Sequence, residues 1–245
     1  LTLGASTGKS GFLRNDQSQL QAIIDSNGIV ATRLNASQIT LQTISDGAQN
    51  YLSALTRAQS NLSSPQTIVK EAQSGLQALL ESLNASLDGQ YIFSGVNSDV
   101  RPFEDYFDPA SPASRQGIAG AFLAEFGITQ SDASVASISA ASMSQFLGGE
   151  FTSEFADPNW ENAWSGASDR NVRNRISRTE LIETSANANQ TAFRKLASAF
   201  TMVSDLGFER LNDQAKQVVI EKALEEVGAA ISGIAGVQSE LGVTQ

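Results

Sequence analysis

From Leu13 onward one residue in seven falls on a single ladder: Leu13, Leu20, Asn27, Leu34, Leu41, Ala48, Leu55 and Leu62. A second row follows three residues after the early rungs and holds Ile23, Val30, Ser37, Ile44, Tyr51 and Ala58. Two such rows form an a/d seam, the pattern of a long helix packing knobs into holes against partner helices. A continuous helix over 13–62 would be about 75 Å long at 1.5 Å rise per residue. Gly28 and Gly47 each cost about 1 kcal/mol relative to alanine, so both are candidate points for a kink. Asn27 is a polar rung, of the kind that sets register.

Leu62-Ser63-Ser64-Pro65 ends this helix and begins another. Ser64 is a candidate cap, and Pro65 at the first helical position gives up only an N–H that has no intrahelical partner. Val69, Ala72, Leu76, Leu79 and Leu83 continue at three- and four-residue steps, predicting a second helix to about Leu87. The short connection makes the pair antiparallel. The last third of the chain has the same texture. Asn187 with Gln190 resembles a capping box, followed by Asn189, Phe193, Leu196, Phe200 and Val203. Gly207 punctuates. Asn212 is the expected cap of a final helix carrying Ile220, Leu224, Val227, Ile231, Ile234, Gln238 and Leu241 on its seam.

Residues 96–170 break the pattern. Four of the five prolines (Pro102, Pro109, Pro112, Pro158) and both tryptophans (Trp160, Trp164) lie there. Short helices are expected at 115–126 and 138–147, between turn signals at Asp108-Pro109, Gly148-Gly149 and Asp157-Pro158. Val172, Asn174 and Ile176, then Glu180, Ile182 and Thr184, alternate as in a hairpin. The fold class expected is therefore mainly α with small β elements. An elongated antiparallel rod of heptad-patterned helices (1–95 and 171–245) carries β-hairpins and is interrupted by a small inserted α+β domain (96–170).

Composition narrows the function. The chain of 245 residues has no cysteine and no histidine. That excludes disulfides, thiolate and imidazole metal ligands, cysteine nucleophiles and Ser-His-Asp triads. A net charge of −10 argues against nucleic acid and against anionic lipid. No apolar run approaches the ~20 residues of a membrane-spanning helix. The first residue is Leu1, and no cationic segment followed by an apolar one comes after it. The chain is thus expected to be a mature product or a piece of a longer protein.

Candidate chemistry is sparse. Glu104, Asp105 and Asp108 cluster around Tyr106, but without the spacing of a calcium loop. Glu225 and Glu226 are neighbours on a helix and point apart, which suits a solvated face better than an acid–base pair. Gly8-Lys9 lacks the preceding glycine and strand of a phosphate loop. Trp160 and Trp164 are expected to anchor the core of the insertion, with stacking on a carbohydrate or partner as the alternative. Arg170, Arg173, Arg175 and Arg178 concentrate positive charge in an acidic chain. They are candidate contacts with a neighbouring subunit's acidic face, or partners in intramolecular pairs. No catalytic, cofactor-binding or metal-ligating residue is assigned.

The sharpest local motif is Asp88-Gly89-Gln90-Tyr91-Ile92-Phe93-Ser94-Gly95. Asp-Gly favours a hairpin turn, and Tyr91, Ile92 and Phe93 favour strand. With Arg101-Pro102-Phe103 and the heptad helices around it, this segment resembles the flagellin superfamily. Residues 88–103 are most similar to its hook–filament junction branch (hook-associated protein 3). The matching positions are Asp88, Gly89, Tyr91, Phe93, Ser94, Gly95, Pro102 and Phe103. Filament flagellins match less well, since their usual Gly-Ala-Asn-Ala-Gly segment after the second helix is not found here.

The resemblance implies a non-enzymatic structural component, extracellular and located at the hook–filament junction, exported through the flagellar channel without a cleaved signal peptide. It implies a homo-oligomeric ring that contacts the second junction protein and flagellin, served by a flagellar export chaperone, with no cofactor, nucleic acid or membrane. Family members also carry further terminal helical segments, so a core portion is expected here. A filament-forming flagellin with a shortened outer domain is the second reading, and a coiled-coil binding module or adhesin stalk the third.

Overall fold

The computed structural model describes residues 2–243, with side chains from residue 11 onward. Helix α1 (Thr2–Ser60) runs without interruption through Gly28 and Gly47. Helix α2 (Pro65–Leu83) follows, then the two-residue strands β1 (Ser86–Leu87) and β2 (Gln90–Tyr91). Residues 96–170 contribute α3 (Ala113–Phe126), α4 (Ala140–Gly148) and the short α5 (Glu150–Ser153), with a 3-10 turn at Ala133–Ser137 and a π-helical turn at Trp160–Trp164. Strands β3 (Arg173–Arg175) and β4 (Leu181–Glu183) form the expected hairpin and lead into α6 (Thr191–Ser204) and α7 (Asp213–Val243). Among the described residues no helix is long and apolar enough to cross a membrane.

Helices α1, α2, α6 and α7 pack side by side. The α1 seam is buried from Val30 to Leu55, through Leu34, Ser37, Leu41, Ile44, Ala48 and Tyr51. A leucine buried there contributes about 2 kcal/mol relative to an exposed one. Towards the N-terminus the ladder is uncovered: Leu20 is 43% and Leu13 56% exposed. Within the buried stretch, Gln38 Nε2 donates across to the Gln238 carbonyl of α7 at 2.8 Å.

Several sequence expectations need correction. Helix α2 stops at Leu83, not near Leu87, because the Asn84 side chain grips the Phe103 backbone at both N–H and C=O (2.9 Å each). Ser64 makes no capping bond, so the start of α2 relies on Pro65. Asn187 caps nothing. Helix α6 begins after Gln190, while Asn187 and Asn189 serve neighbouring loops. On α7 the second buried row is Ala223, Ala230 and Val237, whereas Leu224 and Ile231 are only half-buried. Small residues win because α6 approaches closely: a Cβ added at Gly233 would come 2.8 Å from Ala192 Cβ. A similar approach fixes Gly75, whose missing side chain leaves room for the Phe200 ring, tilted by 35° with its centroid 4.5 Å from that of Tyr51. Asn212 caps α7 as expected, accepting from the Ala215 N–H at 3.0 Å.

Helices α6 and α7 are also linked by charge. Glu226, with 12% of its side chain exposed, accepts from Lys195 at 2.7 Å and pairs with Lys222 at 3.0 Å. Burial pushes its carboxyl up, but the two lysines outweigh burial and hold it below the usual carboxylate range. A depressed folded-state pKa gives stability that is complete above the unfolded value. It is lost as pH falls through the folded one. Glu226→Gln is therefore expected to cost about 1 kcal/mol near neutral pH. The same change should flatten the acid limb of the melting-temperature profile, as followed by circular dichroism from pH 7 to 3.

Candidate functional site

The Asp88–Gly95 motif begins as a tight hairpin. Asp88 (φ 51°) and Gly89 (φ 78°) both take positive φ, the geometry of the turn that matches strand twist. Ser86 faces Tyr91 and Leu87 faces Gln90. The strand expected over Tyr91–Phe93 ends at Tyr91, one hairpin bond before the Phe93 backbone turns to a different partner. The Ile92 N–H donates to the Ala85 carbonyl at 3.0 Å, and the Phe93 carbonyl accepts from Ala188 at 2.8 Å. The Phe93 ring is fully buried, edge-on to Phe193 with centroids 6.2 Å apart.

Ser94 and Gly95 join three segments that are distant in sequence. The Ser94 carbonyl accepts from the Ser168 N–H at 3.0 Å, its hydroxyl donates to the Val100 carbonyl, and its backbone bridges Asn187. Gly95 sits at φ 62°, and a Cβ there would overlap the carbonyl oxygens of Ser168 and Arg170. The next N–H, of Val96, donates to that Arg170 carbonyl at 2.9 Å. Pro102 accepts from Gly166 at 2.9 Å, and Phe103 bridges Ser165. The segment leading into 96–170 is thereby laced to the segment leading out of it.

Two asparagines complete the junction. Asn187 donates to the Asp169 carbonyl (3.1 Å) and Asn171 Oδ1 (2.9 Å). Asn189 accepts from Trp160 Nε1 at 2.9 Å and donates to Asp169 Oδ1 (2.7 Å) and the Ala167 carbonyl (3.0 Å). Its own carbonyl takes a bond from Arg194 Nε at 2.8 Å. A buried amide with every side-chain position engaged rigidifies its surroundings. Sequence reading missed both roles. The available signal was the Asn187-Ala188-Asn189 repeat between hairpin and helix, of which Asn187 resembled a cap and Asn189 a helix-seam residue instead.

Trp160 and Trp164 stack on each other with centroids 5.4 Å apart and an interplanar angle of 11°. Phe103 meets Trp160 edge-on at 5.7 Å, and Tyr106 stacks on Trp164 at 5.2 Å. The two indoles are thus buried in the chain's hydrophobic core. Glu104, Asp105 and Asp108 remain exposed. Asp105 and Asp108 accept from the Phe107 and Ala110 N–H groups, and Tyr106 between them is buried and donates to Asp205 at 2.9 Å. Burial and the Asp205 charge push the Tyr106 phenol well up, so it stays a donor. Arg115 reaches the same carboxylate at 3.4 Å, at the rim of a cleft of about 430 Å³. Among the described residues no set of three or more acidic side chains is grouped to hold a metal ion. Glu225 pairs with Lys222 at 2.9 Å and Glu226 turns inward, so the two do diverge. The side chains of Gly8-Lys9 lie outside the described residues.

The arginine run divides. Arg178 pairs with Asp16 on α1. Arg173 and Arg175 lie on the exposed face of β3, and Arg170 is exposed just before it. Among the described residues none of these three has an ion-pair partner.

The arrangement is that of a helical bundle whose buried asparagines bond to the molecule's own backbone and side chains. Residues 1–98 match the family model of the bacterial flagellin N-terminal helical region. That match supports the flagellin family, a structural and non-enzymatic family of extracellular flagellar components that assemble into homo-oligomeric polymers. No curated protein matches the chain.

Proposed function

We propose that this chain is a flagellar structural subunit at the junction between hook and filament, similar to hook-associated protein 3. The observation that carries the reading is the Asp88–Phe103 segment, whose Asp-Gly-x-Tyr-Ile-Phe-Ser-Gly pattern is most similar to that branch. In this reading residues 1–95 and 171–245 form the rod domain and 96–170 the outer domain. Rods pack side by side into a ring that adapts the hook lattice to that of the filament. Its partners would be its own copies, the second junction protein and flagellin, with an export chaperone before secretion.

A filament-forming flagellin with a shortened outer domain is the second reading, and the flagellin match over 1–98 is compatible with both. A strain lacking the gene separates them. The junction reading expects hooks that remain on the cell while filament is shed into the medium. Filaments that stay attached and of normal length would contradict it.

A further inference from the structure

Charge is unevenly distributed along this chain. Residues 96–170 hold 11 of the 26 acidic residues but 3 of the 16 basic ones, a formal −8 of the chain's −10. Four arginines then fall within nine residues, at 170, 173, 175 and 178, with no acid between them. The fold keeps three of these exposed and without an ion-pair partner among the described residues. Arg173 and Arg175 share one face of the hairpin with Leu181, which is 44% exposed, and with Glu183. Glu183 stands opposite Arg173 in register but accepts from Asn171 at 3.2 Å.

The hairpin precedes the start of α6 and lies along the uncovered part of α1. It is held there by the Arg178–Asp16 pair and by Asn27, which donates to the Ile176 carbonyl at 3.1 Å. The acidic Glu104–Asp108 loop sits at the other end of α6, where Tyr106 bonds Asp205. Among the described residues no ion pair joins the acids of this loop to the hairpin arginines.

We propose that the exposed arginine face of the β3–β4 hairpin docks onto the acidic insertion surface around Glu104, Asp105 and Asp108 of a second copy of this chain. Two complementary patches on different parts of one chain make a heterologous contact, which repeats into a ring or an open row. The loop is preorganised for this, since Asp105 and Asp108 are fixed by backbone N–H groups while their charges stay in solvent. The proposal rests on the reading of the chain as a polymer subunit and names the contact such a subunit would use.

Sedimentation velocity on the full chain tests it, with Arg173→Glu/Arg175→Glu and Glu104→Lys/Asp105→Lys as reversals at exposed sites. At about 20 mM salt the wild type should self-associate with rising concentration, and about 500 mM should weaken this at least tenfold. Each reversed variant, its fold verified by circular dichroism, should lose about tenfold or more in association. An equimolar mixture of the two should recover it. A wild type that stays monomeric at low salt, variants that associate as the wild type does, or a mixture that recovers nothing would each overturn the contact. The outcome is independent of position in the flagellum. Filaments that stay attached in the deletion strain, alongside recovery in the mixture, would sink the junction reading and leave this contact standing.

Discussion

Replacing Gly95 by alanine should lower stability by about 3 kcal/mol or more, a fall of roughly 6–12 °C in melting temperature for a chain of this size. Two costs add. A non-glycine residue at φ 62° is strained by about 1 kcal/mol. The new Cβ would also overlap the Ser168 and Arg170 carbonyls, which are backbone atoms and cannot rotate away. Relief requires separating the strand that enters the insertion from the strand that leaves it, which breaks the bonds from Val96 to Arg170 and from Ser168 to Ser94. Gly89→Ala, at a positive φ in an open hairpin turn where nothing lies within 4 Å, should cost only the conformational part, about 1 kcal/mol. Thermal melts of the two variants measure the difference. Equal losses would show that the Gly95 contact is not what constrains the junction.

Asn189→Ala is expected to be comparably damaging, by about 3 kcal/mol. The fully buried Trp160 loses the acceptor for its Nε1–H, and the Ala167 carbonyl and Asp169 lose a shared donor. Asp169 is exposed and can rehydrate, so the orphaned indole carries most of the cost. The tryptophan environment should respond as well: near-ultraviolet circular dichroism from the stacked Trp160–Trp164 pair should diminish while helix content is kept. A melting temperature within 1–2 °C of the wild type would contradict the role assigned to this amide.

The helices were legible because their signal is local and repeated. A seven-residue ladder in α1, a proline at the start of α2 and an asparagine cap before α7 each act within a few residues of themselves. Leu13 and Leu20 fit the ladder yet lie exposed, because a seven-residue period marks a seam without reporting whether a partner covers every rung. The α7 seam was misassigned for another reason. Leu224 and Ile231 are larger, yet the close approach of α6 selects the flat rows of Ala223 and Ala230.

The candidate site was half legible. Asp88-Gly89 announced its own turn, and the motif around Phe93 and Gly95 marked the right place. The reason for those residues was hidden, since it resides in carbonyls and amides at 165–170 and 187–189, some 70 to 90 positions away. Asn187 was misread because an asparagine before a helix suits a cap as well as a tertiary bond, and Asn189 because its spacing from Phe193 fits a helix seam. Only the path of the insertion decides between them.

The central claim, a subunit seated between hook and filament, is tested most directly by immunogold electron microscopy on intact flagella with antibody raised against this chain. The account predicts a single narrow band of label where the hook meets the filament. Label spread along the whole filament would contradict it and favour the filament-forming reading.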